Sequence, residues 1–141
     1  MIKLEAVVQV SVSSMNEVHK EEVEIINELL EQLESKVEFE KFSASFEKFI
    51  THMQEHFAGE EKLMKELQYP SLQMHKADHD KVLNQTRYVE MQWRNRRDEE
   101  AIREYLEDEI VVWLDQHIKA MDTLMADYIS QTSNYSPFSS F

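Results

Sequence analysis

The stretch that decides the fold runs Phe46-Glu47-Lys48-Phe49-Ile50-Thr51-His52-Met53-Gln54-Glu55-His56-Phe57-Ala58-Gly59-Glu60-Glu61-Lys62-Leu63-Met64-Lys65-Glu66-Leu67. Positions 46, 49, 53, 56, 57, 60, 64 and 67 recur at helical spacing and trace one face. Phe46, Phe49, Met53, Phe57, Met64 and Leu67 make that face apolar, so it is the face that turns inward. The two remaining positions are His56 and Glu60, an imidazole and a carboxylate one turn apart. Buried without partners, such groups are unfavourable by several kcal/mol each. A helix that places them inward must satisfy them there.

The same pattern recurs on both sides. His19 lies on a stripe with Met15, Val18, Val23, Ile26, Leu29, Leu30 and Leu33. His75-x-x-x-His79 shares a face with Leu72, Val82 and Leu83. His117-x-x-x-x-Asp122 groups with Ile110, Trp113, Leu114, Leu124 and Met125. A single histidine on an apolar stripe reads most simply as a core residue with its own hydrogen bond. Five, with two acids, on four successive stripes do not. Imidazole and carboxylate together suit iron, zinc, copper or manganese. Seven ligands exceed one tetrahedral ion and suit two ions. Glu60 and Asp122 are the natural bridges, since a carboxylate has two oxygens. An odd number of histidines leaves one coordination position for a small ligand.

Punctuation between the stripes sets four helices. Ser13, Ser14 and Asn16 are N-cap candidates for the first, which ends near Lys36. The second runs from about Phe39 to Gln68, ahead of Tyr69-Pro70. The third runs from about Ser71 to Arg97, and the fourth from Glu99 to Ile129. Short connections make neighbours antiparallel. The expected fold is all-α: an up-down-up-down four-helix bundle over residues 1–130 with an extended N-terminal arm. Residues 131–141 form a serine- and aromatic-rich tail.

Composition narrows the function. A single glycine among 141 residues argues against a turn-rich β fold and excludes glycine-rich phosphate loops. Absence of cysteine excludes disulfides, thiolate catalysis and iron–sulfur ligation. A net charge of −13 repels nucleic acid and anionic membranes. No signal peptide or membrane span is legible, so a soluble cytoplasmic protein is expected.

The series His19-Lys20, Ile26-Asn27-Glu28-Leu29, His56-Phe57-x-x-Glu60-Glu61-x-x-Met64, Tyr69-Pro70, His75-x-x-x-His79 and Trp113-x-x-x-His117-Ile118-x-x-x-Asp122 resembles the hemerythrins. The stand-alone bacterial members are the most similar, over roughly residues 4 to 130. The resemblance implies two irons bridged by an oxo or hydroxo group. His75, His79 and His117 would hold one iron, and His19 and His56 the other. Glu60 and Asp122 would bridge. Dioxygen would bind at the open iron, in a dry pocket lined by Phe57, Trp113, Leu114 and Ile118. The implied function is reversible dioxygen binding for storage, delivery or sensing, with a redox or oxygen-acceptor protein as candidate partner.

Two departures from the family lie near this chemistry. Relatives usually carry leucine three residues after the first histidine, and this chain has Glu22. They often carry tyrosine four residues before the second, and this chain has His52. In antiparallel helices both fall at a similar level, about 4 to 6 Å along the axis from the ligands. They are expected to face each other as a buried polar pair beside the ligand-binding pocket, with Glu22 counted among the residues of the oxygen pocket and a candidate extra iron ligand or proton donor. An alternative function follows: a di-iron redox enzyme, a peroxidase, an oxidase or a nitric-oxide-handling protein.

Overall fold

A computed structural model of the chain describes residues 6–132. The first five residues of the arm, and the tail beyond Thr132, lie outside the described residues. Helix α1 spans Ser13–Glu34, α2 Phe39–Glu66 and α3 Leu72–Arg96. Helix α4 covers residues 99–130 without a break, and no strand occurs among the described residues. No helix is long and apolar enough to cross a membrane.

Side-chain pairs show the topology. From α1 to α2, Glu22 meets His56 and Gln32 meets Ser45. From α2 to α3, Glu61 meets His79 and Ser43 meets Trp93. From α3 to α4, Asp78 meets His117 and Thr86 meets Tyr105. From α1 to α4, His19 meets Asp122 and Glu34 meets Arg103. In every pair one number rises as the other falls, so each helix is antiparallel to both neighbours. The bundle is the expected up-down-up-down one.

The helix ends follow from local chemistry, with one correction at the start. The N-cap of α1 is Val12, which makes no side-chain cap bond, and Ser13 and Ser14 are already helical. Asn16 instead binds backward. Its amide accepts from the Val10 N–H at 2.8 Å and donates to the Val10 carbonyl at 2.9 Å. This clasps the arm to the bundle. Both α1 and α2 close with a paired reverse-turn bond. Val37 N–H reaches Gln32 O, and Tyr69 N–H reaches Met64 O. Lys36 and Gln68 take the left-handed position in these turns, at φ 54 and 55°.

Helix α4 holds the main correction to the expected core. Its buried residues Ile102, Leu106, Ile110, Leu114, Ile118, Asp122 and Ala126 recur every four residues. In an unbroken α-helix such a row drifts about 40° per step. Two π turns, Tyr105–Glu109 and Ile118–Asp122, absorb the drift. Beyond the second, Leu124 lies outside the core at 61% exposure, while Met125 is buried as expected and Ala126 is buried beside it.

Apolar packing forms two large bodies around the middle of the bundle and a small third one of Val23, Leu114 and Ile118. One contains Phe42, Phe46, Phe49, Ile50, Met53, Leu106 and Ile110. The other, toward the opposite end, contains Val12, Met15, Met64, Met125, Ala126 and Ile129. The polar stripe positions lie between them.

Two outcomes follow for stability. A non-glycine residue in the left-handed region is strained by roughly 1–2 kcal/mol. Lys36→Gly is therefore expected to raise the urea-unfolding free energy by about 1 kcal/mol, allowing for the unfolded-state entropy of glycine. The second outcome concerns Glu90 on α3. Burial, reinforced by the Glu47 carboxylate, pushes it from 4.5 up to about 7. The native state thus keeps a proton that the unfolded chain releases, and stability falls as pH rises through that window. Glu90→Gln should raise the melting temperature at pH 8 and leave it unchanged at pH 4.

Candidate metal centre

Each helix brings its share to one level. Helix α1 supplies His19, α2 His56 and Glu60, α3 His75 and His79, and α4 His117 and Asp122. All seven are buried, and His19, Glu60, His79 and Asp122 are fully so. His56 to Glu60 and His75 to His79 are one α-turn apart. His117 to Asp122 is five residues, which an α-helix would place on different faces. The π turn Ile118–Asp122 restores them to one face.

Two groups form, each with ligand atoms within 4.8 Å of one another and able to hold a metal ion. One is Glu60, His75, His79, His117 and Asp122, and the other is His19, His56 and Glu60. Glu60 belongs to both. Its Oε1 lies 3.2 Å from His75 Nε2 and 3.1 Å from His79 Nε2, and its Oε2 lies 2.6 Å from His56 Nε2. Asp122 divides the same way. Its Oδ1 lies 3.0 Å from His75 Nε2 and 3.1 Å from His117 Nε2, while Oδ2 lies 2.9 Å from His19 Nε2.

The donor set fits a cation. His19 Nε2, His79 Nε2, His117 Nε2 and both Asp122 oxygens are close to polar atoms yet in hydrogen-bond alignment with none among the described residues. Short distance without alignment is what lone pairs show when they converge on a common point. The electrostatics agree. Burial disfavours charge on His75, but Asp122 and Glu60 outweigh it and hold the imidazole up to about 9. Burial also opposes charge on Glu60, yet His56, His75 and His79 keep its carboxyl well below the usual range. Burial and the Glu60 charge both oppose ionisation of Asp122, but His117, His19 and His75 keep it ionised. The pocket is built for positive charge beside two carboxylates.

The outward nitrogens of three of the histidines are anchored by carboxylates. His56 Nδ1 donates to Glu22 Oε1 at 2.8 Å, His79 Nδ1 to Glu61 Oε2 at 2.9 Å, and His117 Nδ1 to Asp78 Oδ2 at 2.7 Å. Each bond turns Nε2 toward the centre and makes it a stronger donor. Glu61 and Asp78 are imidazole partners that helical stripes do not reveal, because they lie just off the apolar face. The available signal was adjacency: Glu61 follows Glu60, and Asp78 precedes His79.

Aromatic rings complete the walls. Phe57 stacks on His79 at 4.0 Å and Trp113 on His117 at 4.5 Å, which sets both imidazole planes. Leu114 and Ile118 pack with Val23 in a small apolar cluster roofed by Val7, Val8 and Val10 of the arm. Glu22 is buried as expected, but its principal partner is His56 rather than His52. His52 lies 3.9 Å from Glu22 Oε1 and turns its Nε2 to the exposed Glu21 at 3.1 Å. It marks the surface end of a polar seam rather than a buried pair.

The chain matches the Hemerythrin HHE cation binding domain family over residues 10–129. The chain belongs to the hemerythrin family. Among the relatives of this hemerythrin chain, a protein named bacteriohemerythrin from Aquifex aeolicus is 30% identical over 115 residues, covering 82% of this chain and 87% of the relative. A second bacteriohemerythrin, from Ralstonia nicotianae, is 32% identical over 90 residues, or 64% of each chain. No solved structure matches significantly. Family membership and the donor set together identify the hemerythrin site as a metal centre.

Asp78→Ala removes an anchor while leaving every inward-facing donor in place. It is expected to weaken metal affinity about 10–100-fold with the helical circular dichroism unchanged, measured by competition with a chromophoric chelator.

Proposed function

We propose that this protein holds two iron ions and reversibly binds dioxygen at one of them. The supporting observation is the division of Glu60 and Asp122. Each directs one oxygen at the three-histidine set and the other at the two-histidine set. That is the arrangement two bridged cations require. His75, His79 and His117 would hold one iron, and His19 and His56 the other, with an oxo or hydroxo group completing the bridge. Three histidines against two leaves the second iron a position for a small ligand.

Iron held in this way supplies reversible redox chemistry toward dioxygen. The protein's own residues supply the setting. Glu22, Glu61 and Asp78 orient three of the imidazoles. Phe57 and Trp113 keep two ring planes fixed. Val23, Leu114 and Ile118 exclude bulk water from the side between α1 and α4. Storage, delivery or sensing of dioxygen each fit such a centre, and delivery implies an oxygen-acceptor or redox protein as partner.

Iron analysis with an optical spectrum tests the reading. The expected result is two irons per chain and a visible band that appears with oxygen and disappears on deoxygenation. His19→Ala should lower the content to one iron and abolish the band. One iron in the parent chain, or a spectrum indifferent to oxygen, would overturn it. Bleaching with turnover of peroxide would instead favour a redox enzyme, a reading supported by the buried carboxylate of Glu22 beside His56.

A further inference from the structure

Beside the metal centre lies a small, partly open cavity of about 10 Å³, lined by Glu22, Ile26, Phe49, Met53, Ile110, Trp113 and Leu114. Five of these residues are wholly apolar. The other two each bring a buried polar atom with no partner among the described residues: Glu22 Oε2 and Trp113 Nε1. One is an acceptor and the other a donor. The Glu22 side chain is only 4% exposed, and its other oxygen is already engaged by His56 at 2.8 Å. Two orphan groups of opposite sense, on two residues that line one otherwise apolar cavity, call for a molecule that can serve both.

We propose that this cavity is a binding site for a single water molecule, which accepts from the Trp113 indole N–H and donates to Glu22 Oε2. Size and chemistry both select water. The volume is about that of one water-sized sphere, and a buried water needs two or more polar partners to be held. Dioxygen has no proton to give the carboxylate, so the site discriminates against it. Glu22 therefore has two roles on its two oxygens. Oε1 positions His56, and Oε2 holds a hydrogen-bonding molecule on the apolar side of the centre. The inference does not depend on the metal being iron or on oxygen binding.

Trp113 can be observed directly. The chain has two tryptophans, and the other, Trp93, donates to Ser43 Oγ at 3.0 Å and serves as an internal control. In the full chain loaded with diamagnetic zinc, the indole proton of Trp113 should show a cross-peak to water by rotating-frame NMR, while that of Trp93 shows none. Trp113→Phe assigns the signal. Glu22→Leu should abolish the cross-peak and shift the Trp113 indole resonance, and Glu22→Gln, which can keep its oxygen on His56 and give an amide N–H to the water, should retain it. A crystal structure of the iron-loaded protein should place a water peak within hydrogen-bond distance of both atoms. The proposal is overturned if the parent chain shows no cross-peak, or if the cross-peak survives Glu22→Leu. It is equally overturned if the crystal shows Glu22 bonded directly to the indole or swung onto the metal. Should Glu22→Leu fail to fold, the parent cross-peak and the crystal decide.

Discussion

Two buried carboxylates, Glu60 and Asp122, govern the rest of this structure. Both are fully enclosed, and they lie close enough for the Glu60 charge to oppose ionisation of Asp122. Such a pair is stable in a bundle core only beside concentrated positive charge. The five histidines converge on it from all four helices, and the carboxylate oxygens sort the histidines into a set of three and a set of two. The requirement for cations, the shape of the site and its asymmetry all trace to these two side chains.

The bundle is organised to keep that level of the core polar and the rest dry. An aromatic body rich in phenylalanine closes one end, and a methionine-containing body closes the other. Helix α4 carries the sharpest compromise. Its inward row repeats every four residues, and only two π turns let it face the bundle along its whole length. The second π turn also carries Asp122 back onto the face of His117. A stabilising feature of the fold and the geometry of the site are here one device.

Around the inward donors lies a ring of acidic side chains, Glu22, Glu61 and Asp78. Part of the large negative charge of the chain is thus employed at the centre rather than spread on solvated faces. Glu22 is unusual among the three because it is almost wholly buried, while Glu61 and Asp78 remain partly exposed. It connects the centre to a polar seam that reaches the surface through His52 and Glu21. Where the resemblance implies a leucine, this chain has a group that orients a ligand and offers a second oxygen to a neighbouring cavity.

Much of this was legible in the sequence, and the reason is periodicity. Helical spacing with an apolar stripe places His19, His56, Glu60, His75 and His79 inward without any knowledge of neighbours. Tyr69-Pro70 marks the end of the second helix for an equally local reason. Features that depend on another helix were not legible. Periodicity placed Leu124 in the core because a π turn cannot be read from spacing. Its insertion is held by packing along the full length of α4. Glu61 and Asp78 lie off the stripes, and only the neighbouring helix shows that they reach an imidazole. Glu22 could be read as buried, but not which histidine it would bind. By itself the sequence determined which side chains face inward, since that follows from the geometry of a single helix. The tertiary structure alone decided which atoms meet, because the division of each carboxylate between two histidine sets depends on how four helices are rotated against one another.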